Sequence, residues 1–231
     1  MRVYYDFHIH SCLSPCGDED MTPNNIVNMS ILKGLDIIAV TDHNCAGNVK
    51  ACQDAAKGTK LTVVGGMEIE TSEEIHIVTL FDNTDNLYKF EKIISESLPP
   101  LKNKAEIFGE QILMDSDDKF VGFDDRFLIT ATSLDIITLY KYVSDLGGVV
   151  FPAHIDKTSY SIISSLGSIP PELKFSAVEV KKTTEGIIIP DDVLVIHNSD
   201  AHYLWDISER ENYIDIDSDN AIDILSILHQ N

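Results

Sequence analysis

The sequence contains few cysteines, and all of them lie in its first quarter: Cys12, Cys16, Cys45 and Cys52. No two of them form a C-x-x-C pair, so the sequence predicts neither a zinc ribbon nor a disulfide framework. No apolar run approaches the roughly 20 residues that a membrane span requires. The residues after Met1 and Arg2 also lack the apolar stretch of a cleavable signal peptide. We therefore expect a cytoplasmic protein with reduced thiols and no membrane partner.

Basic residues are also scarce, because 17 lysines and arginines face 38 aspartates and glutamates, for a formal net charge of −21. A surface with this charge repels the phosphates of a long nucleic acid. The sequence also lacks a stripe in which basic and aromatic residues alternate, which is common in proteins that bind single strands. We therefore expect long nucleic acid to be an unlikely partner.

Apolar, β-branched runs alternate with helical patterns, which predicts an α/β domain with a largely parallel sheet. The predicted strands are residues 2–9, 36–41, 61–69, 75–81, 148–153, 176–181, 193–198 and 212–216. The first helix is predicted to have Thr22 as its N-cap and Pro23 at its first position, and to end at Gly34. Further helices are predicted over residues 46–57, 86–98 and 134–146.

The segment from 101 to about 130 interrupts this alternation. Two apolar stretches, residues 111–114 and 120–123, flank the polar run from Asp115 to Asp118. This pattern predicts a hairpin that projects from the main body. We expect one domain over residues 1–231, with the hairpin as an insertion that could serve as a lid.

The stretch His8-Ile9-His10 is the first that suggests chemistry. Residues two apart on a strand point to the same face, about 7 Å apart along the chain, so the two imidazoles could share a metal ion. A histidine pair alone could equally be a solvated or hydrogen-bonded face. Asp6 has the same parity and could orient one of the histidines or make an ordinary polar contact.

Further histidines and carboxylates occur at or near the ends of other predicted strands: His43, Glu68, His76, His154, Asp200 and His202. Most follow the carboxyl ends, where α/β barrels and open α/β sheets carry their active sites. Imidazole and carboxylate ligands together suit zinc, iron or manganese better than calcium. More than four ligands imply more than one ion, and multinuclear sites of this kind most often catalyse hydrolysis.

Six motifs occur in order between residues 5 and 202: His8-Ile9-His10, Thr41-Asp42-His43, Gly66-Met67-Glu68, His76, Pro152-Ala153-His154 and Ser199-Asp200-Ala201-His202. Together they resemble the motifs of the PHP (polymerase and histidinol phosphatase) phosphoesterases. The resemblance implies a distorted seven-stranded (β/α)7 TIM-like barrel with its active site at the C-terminal ends of the strands. It also implies two or three divalent metal ions, zinc, manganese or iron, in a trinuclear centre.

The resemblance further implies a ligand set for each ion. The first ion would be held by His8, His10, Glu68 and Asp200, the second by His43 and His202, and the third by a bridging Glu68 with His76 and His154. The second ion lacks a ligand from the loop after the histidine pair, and we favour Asp20 there over Asp18 and Cys16. The acidic residues of that loop could instead merely stabilise the helix dipole. Glu70 has the same parity as Glu68 and could replace it as the bridge.

We expect hydrolysis of a phosphate ester, in which a metal-bridging hydroxide attacks phosphorus in line. The predicted catalytic residues are Glu68 as the bridge and Asp200 or His202 as groups that assist proton movement. Three cations could contact the phosphate, although each could equally form a surface ion pair: Arg126, Lys157 and Arg210. A small phosphorylated metabolite, a nucleotide or a short oligonucleotide is the expected substrate, and the oligomeric state stays open.

Three alternatives remain open at this point. A regulatory or binding module could retain the metals without turnover. A metal-dependent amidohydrolase would be expected to carry a metal-bridging lysine at a strand end, where this sequence has Glu68. A nucleophilic thiol at Cys12 or Cys45 with a neighbouring histidine is conceivable, but it would leave the other histidines unexplained.

Overall fold

The computed structural model describes residues 1–216 and Leu228; the other residues of the predicted 1–231 domain lie outside the described part. In chain order the strands are β1 (Arg2–Ile9), β2 (Ile37–Val40), β3 (Thr62–Glu70), β4 (His76–Phe81), β5 (Ile112–Met114), β6 (Phe120–Phe123), β7 (Val149–Pro152), β8 (Ala177–Glu179), β9 (Leu194–Ile196) and β10 (Tyr213–Asp215). The helices are α1 (Pro23–Leu32), α2 (Val49–Ala55), α3 (Thr84–Ser97), α4 (Ala105–Phe108), α5 (Ile136–Asp145) and α6 (Ile162–Leu166), with a 3-10 turn at Leu204–Asp206.

Six strands form the main sheet in the order β10-β1-β2-β3-β4-β7, and this sheet curls into a half-barrel. Strands β1, β2 and β3 are parallel, whereas β4 runs antiparallel to both β3 and β7, and β10 runs antiparallel to β1. The α/β class is confirmed, but the expectation of a largely parallel sheet is wrong. Residues 71–75 alone join β3 to β4, and a parallel crossover needs a dozen or more residues.

Strands β8 and β9 pair in parallel as a separate two-stranded sheet. The N–H of Ile155, just after β7, donates to the carbonyl of Glu179 in β8 (2.8 Å), and the N–H of His10 donates to the carbonyl of Ala201, beyond β9 (2.9 Å). The smaller sheet is thus joined to the main sheet near both β7 and β1. These contacts are isolated bonds between two sheets, so a full (β/α)7 barrel is not confirmed in the described part of the chain.

Apolar side chains cover both faces of the main sheet. In β2, Ile37 and Ala39 join one buried cluster with Phe7 and Phe151, while Ile38 and Val40 join another cluster with residues of the helices. A strand covered on both faces must be apolar at every position, which explains the uninterrupted run in β2. This dense packing holds the strand ends, and the side chains that they carry, in fixed positions.

The first helix forms as the sequence predicts. The side chain of Thr22 accepts a hydrogen bond from the N–H of Asn25, Pro23 occupies the start of α1, and Gly34 follows its end with a φ of 76°. A hydroxyl N-cap satisfies a free N–H at the helix start, and glycine adopts positive φ without strain. None of the helices in the described residues is both long enough and apolar enough to cross a membrane.

The segment of residues 101–130 contains the hairpin formed by β5 and β6. Asn48, at the start of α2, donates to the carbonyl of Ile112 (2.9 Å) and accepts from the N–H of Met114 (3.0 Å). Asp118, in the turn, accepts a hydrogen bond from the hydroxyl of Thr22 (2.8 Å). The hairpin is therefore attached at both ends to loops of the main body.

Candidate metal centre

The candidate site lies at the edge of the main sheet where β1, β2 and β3 end. His8 and His10 come from the end of β1, His43 follows β2, and Glu68 lies near the end of β3. His76 is the first residue of β4, and because β4 is antiparallel, its beginning lies at this same edge. His154 follows β7, and Asp200 and His202 follow β9. The strand directions therefore bring together eight of the predicted metal ligands.

Glu68 lies at the centre of this cluster and is 1% exposed. Within the described residues, five imidazole nitrogens contact its carboxylate oxygens: His76 Nδ1 (2.9 Å), His8 Nε2 (3.3 Å) and His154 Nε2 (3.3 Å) at Oε1, and His43 Nδ1 (3.2 Å) and His10 Nε2 (3.3 Å) at Oε2. Oε2 is buried and has no hydrogen-bond partner in residues 1–216. Such a carboxylate is costly to bury unless a cation compensates it.

Asp200 closes the cluster on its outer side. Its Oδ1 lies 3.5 Å from His8 Nε2 and 3.4 Å from His10 Nε2, and its Oδ2 accepts a hydrogen bond from Lys157 Nζ (2.7 Å). The ring of His202 stacks on that of His10, with 4.3 Å between centroids. Lys157 is thus the predicted phosphate contact that the structure brings to the cluster.

Three overlapping groups of side chains in this cluster have potential ligand atoms within 4.8 Å of one another. They are His8, His10, Glu68 and Asp200; His10, His43 and His202; and His43, Glu68 and His76. His154 adjoins the third group through Glu68, and its Nδ1 is buried without a hydrogen-bond partner. The donor set and the unpaired Oε2 of Glu68 fit divalent metal ions bound by imidazole and carboxylate.

A second set of buried carboxylates supports the histidines. Glu179 Oε2 lies 2.8 Å from His8 Nδ1 and accepts a hydrogen bond from Asn198, while its Oε1 accepts one from the N–H of His154 (3.1 Å). Glu179 was not among the predicted site residues. Its signal in the sequence is a single charge inside the apolar run from Ala177 to Val180.

Asp42 plays a similar role under the other side of the cluster. It accepts hydrogen bonds from the N–H of Ser11 (2.7 Å), the hydroxyl of Ser11 (2.6 Å) and the hydroxyl of Ser14 (2.7 Å). Ser14 Oγ in turn lies 2.9 Å from His10 Nδ1. Carboxylates and hydroxyls in this position fix the orientation of metal-binding imidazoles.

The electrostatics of the cluster keep its carboxylates ionised. Burial opposes ionisation of Glu68, but His76, His8 and His43 hold its pKa well below the ordinary value. Burial also opposes protonation of His10, yet the neighbouring carboxylates of Asp200 and Glu68 raise its pKa to about 9. Burial lowers the pKa of His43 well below its ordinary value and that of His202 to about 4. Neutral imidazoles and ionised carboxylates are the forms that bind metals.

Three residues close to the cluster have backbone conformations that are unusual for residues other than glycine. The φ angles of Asn44, His154 and Asp200 are 51°, 31° and 51°. Each residue directly follows a strand end or lies in the loop after one. Such strained positions concentrate at functional sites, where the surrounding structure enforces them.

Some predicted residues do not reach the cluster. The structure leaves Asp20 exposed, with its carbonyl accepting a hydrogen bond from Asn25, and Cys16 is exposed as well. The backbone N–H of Asp18 donates to the carbonyl of His202 (2.9 Å), so this loop contacts the site through its backbone. Asp6 accepts from the N–H groups of Ser199 and Ser208 and orients neither imidazole ring.

The structure also places two of the three predicted phosphate contacts elsewhere. Arg210 donates to the carbonyl of Gly34 (2.6 Å) and lies over the ring of Tyr4, at the opposite end of β1 from the histidines. Arg126 forms an ion pair with Asp124. Burial raises the pKa of Cys45 well above its ordinary value and that of Cys12 to about 12, which disfavours a thiolate nucleophile.

Comparison with known proteins supports the interpretation of this cluster as a metal-binding site. The model of the PHP domain family matches residues 6–143. A 5'-3' exoribonuclease of Haemophilus influenzae is 34% identical over 88 residues, which are 36% of this chain and 31% of that protein. The chain therefore spans about a third of the length of this relative.

Two solved structures share the fold at low sequence identity. The lesion-specific endonuclease Q of Pyrococcus furiosus superimposes with a TM-score of 0.64 and 15% identity, over 100% of this chain and 56% of that one. Endonuclease Q in complex with a 27-mer duplex carrying an abasic lesion at the active site gives a TM-score of 0.59 and 17% identity, over 88% of this chain and 50% of that one.

These comparisons overturn the expectation that long nucleic acid is an unlikely partner. The exoribonuclease and the endonuclease are named for action on nucleic acid, and the endonuclease structure contains a 27-mer duplex. The expectation was based on net charge, which counts every surface group equally. Contacts to a phosphate group are local, so an acidic protein can still make them at a metal centre.

Proposed function

Because the chain belongs to the PHP domain family of metal-dependent phosphoester hydrolases, we propose that it hydrolyses phosphodiester bonds of nucleic acid at a centre of three divalent ions. The observation that carries this proposal is the convergence of five imidazoles on Glu68, whose Oε2 is buried without a hydrogen-bond partner. A buried carboxylate that contacts five imidazoles suits a bridging position between ions.

For the ligand groups of the proposed centre we keep the assignment that the family resemblance implies, which the contacts support in part. The first ion would be held by His8, His10, Glu68 and Asp200, the second by His43 and His202 beside His10, and the third by Glu68, His76 and His154. In this assignment His10, and not Asp20 as expected, is the further ligand of the second ion. Bound divalent ions would lower the pKa of water and neutralise charge on the phosphoryl oxygens.

Side chains of the protein would perform the remaining tasks. Glu179 keeps the Nδ1 of His8 occupied, so the Nε2 of that ring faces the cluster. The Nδ1 of His202 lies 2.9 Å from the carbonyl of Asp200, which leaves its Nε2 available to an ion. The ammonium group of Lys157, next to Asp200, can bind a non-bridging phosphoryl oxygen.

The substrate class rests on the relatives named above, of which this chain covers only part. Within that class, the hairpin of β5 and β6 would form a fixed wall beside the mouth, because Asn48 and Asp118 attach it to the main body. We propose that its deletion changes substrate selectivity while the metal content stays constant.

The experiment that tests the proposed function combines metal analysis with a substrate screen. Protein stripped of metal is reloaded with manganese, iron or zinc and assayed on single-stranded RNA, single-stranded DNA, duplex DNA and mononucleotides. We expect about three ions per chain and release of nucleotides or oligonucleotides. His10→Ala should abolish hydrolysis and leave the fold intact, because it removes a ligand shared by two groups.

His197→Asn is the matched control, since His197 also follows a strand but binds the carbonyl of Val180 instead of the cluster. Bound metal without hydrolysis of any substrate would contradict the proposal and favour a non-catalytic binding module. Full activity of His10→Ala would contradict the assigned site. An amidohydrolase would be expected to carry a bridging lysine, whereas the proposed bridge here is Glu68, whose carboxylate contacts imidazoles through both oxygens.

A further inference from the structure

Two exposed aromatic rings follow His202 on the same segment, one and three residues further along the chain. Tyr203 and Trp205 are 40% and 70% exposed, and their rings stack with 4.8 Å between centroids and 13° between planes. Large aromatic side chains usually bury their faces, so a stacked pair with open surface is available to a flat ligand.

The backbone beneath this pair is held firmly. The side chain of Lys33 donates to the carbonyls of Trp205 (2.8 Å) and Ile207. The buried carboxylate of Asp6 accepts from the N–H of Ser199 (3.0 Å) at one end of the segment and from the N–H of Ser208 (2.9 Å) at the other. The exposed rings therefore stand on a fixed support, which limits the entropy lost when a ligand stacks on them.

Tyr203 also lines an open cleft of about 500 Å³ whose other wall is the loop of residues 15–20. This loop is joined to the metal centre, because the N–H of Asp18 donates to the carbonyl of His202. The cleft is lined by three carboxylates, those of Asp18, Glu19 and Asp20. They repel a phosphate group, so an occupant of the cleft must be uncharged or positively charged.

We propose that Tyr203 and Trp205 form a stacking surface for a nucleobase of the substrate, whose phosphate lies at the metal centre beside Lys157. This inference rests on the proposed function and specifies it. A nucleobase is flat and uncharged, and every base has a face that can stack on aromatic side chains. Its exocyclic amino groups can donate hydrogen bonds to the carboxylates of the cleft. The protein would thus recognise the base as well as the phosphodiester.

Binding can be followed by tryptophan fluorescence, because Trp205 is the only tryptophan in the sequence. Metal-loaded protein is titrated with a phosphorothioate-linked pentamer of deoxyadenosine and with a pentamer of the same length and charge in which every base is absent. We expect quenching of the tryptophan fluorescence by the first pentamer only. Equal quenching by the two pentamers, or none by either, would overturn the stacking surface.

Kinetics test the same surface independently of fluorescence. Trp205→Ala and Tyr203→Ala should each raise KM for the base-bearing pentamer with ordinary phosphodiester links by roughly tenfold, with little change in kcat, since stacking on one base contributes about this factor. Neither variant should change kcat/KM for the abasic pentamer. Trp205→Phe should recover part of the loss, and Tyr142→Ala, which removes a ring of similar exposure on α5, should behave as the wild type.

The outcomes separate this inference from the proposed function. Hydrolysis of both pentamers with equal kcat/KM, unchanged in Trp205→Ala, would overturn the stacking surface and leave the hydrolase intact. Base-dependent quenching without hydrolysis of any substrate would support the stacking surface and overturn the proposed function.

Discussion

Two carboxylates in the middle of the molecule are equally buried and both contact His8, yet their surroundings differ. Glu179 has both oxygens occupied: Oε2 lies against His8 Nδ1 and accepts from Asn198, and Oε1 accepts from the N–H of His154. In the part of the chain that the structure describes, the carboxylate of Glu68 contacts imidazole nitrogens, and its Oε2 has no hydrogen-bond partner. The hydrogen bonds of Glu179 satisfy its buried charge within the protein, whereas the buried charge of Glu68 calls for bound cations.

This difference separates residues that bind from residues that orient. Burying a carboxylate without donors is costly, and a cation is the usual compensation. Burying one with its oxygens hydrogen-bonded fixes the geometry around it. Glu68 therefore belongs to the proposed metal ligands, whereas Glu179, together with Asp42, holds the imidazoles in place. The comparison predicts different consequences for the same change of carboxylate to amide at each position.

The largest effect is expected for Glu68→Gln. The amide keeps the size of the side chain but removes the charge that the ions share, so at least one ion per chain should be lost. Activity should fall on the order of 10³-fold, as when preorganised electrostatic stabilisation is removed. Elemental analysis and turnover on an oligonucleotide measure both effects, and circular dichroism checks the fold. A full complement of ions in this variant would contradict the bridging role.

A smaller effect is expected for Glu179→Gln, because it leaves the ligands in place and weakens only the orientation of His8. Loss of such a supporting carboxylate typically costs roughly 10- to 100-fold in metal affinity or activity. Titration with a competing chelator should show weaker binding, while the number of ions at saturation stays that of the wild type. A reduced ion count would place Glu179 among the ligands and remove the distinction from Glu68.

The sequence indicates the candidate metal ligands better than the residues that orient them. Histidines at or just after strand ends, such as His8, His43 and His154, stand out because a metal-binding residue type coincides with the end of a predicted strand. Glu179 shows only a single charge in an apolar run, and nothing in the sequence indicates that its partners are His8 and Asn198, which approach it through the fold. Long-range hydrogen bonds of this kind become apparent only in three dimensions.

Part of the fold could also be predicted from the sequence, including the direction of β4. The α/β class, the first helix and the family resemblance are confirmed. The direction of β4 follows from the five residues between Glu70 and His76, which cannot form a parallel crossover. The position of Arg210 could not be predicted, because residues after a motif can turn toward either end of the sheet, and this side chain lies over Tyr4.

A third prediction tests Asp42, which, like Glu179, is a buried carboxylate with its oxygens hydrogen-bonded. Three donors converge on this carboxylate, two from Ser11 and one from Ser14. In Asp42→Asn an amide N–H must face one of these donors, and an unmade buried hydrogen bond costs about 1–3 kcal/mol of unfolding free energy. Urea denaturation of the metal-free protein measures this loss. Asp215→Asn, which changes an exposed carboxylate, is the control and should leave the stability unchanged.

The last prediction concerns the pH dependence of metal binding around Glu68. Burial opposes protonation of His10, but the neighbouring carboxylates of Asp200 and Glu68 raise its pKa to about 9 in the metal-free protein. The Nε2 atoms of His8 and His10 lie 3.2 Å apart, and Glu179, Glu68 and Asp200 raise the pKa of His8 as well, against the effect of burial. An ion that binds both nitrogens must displace the protons that they carry, so its apparent affinity should rise by at least about tenfold per pH unit from pH 7 to 9.

Calorimetry in two buffers of different ionisation enthalpy should detect release of at least about one proton per first ion bound, in the wild type and in His197→Asn alike. Binding without proton release at pH 7 would show that His8 and His10 carry no proton for the metal to replace, and the contrast between Glu68 and Glu179 would then lose its electrostatic basis.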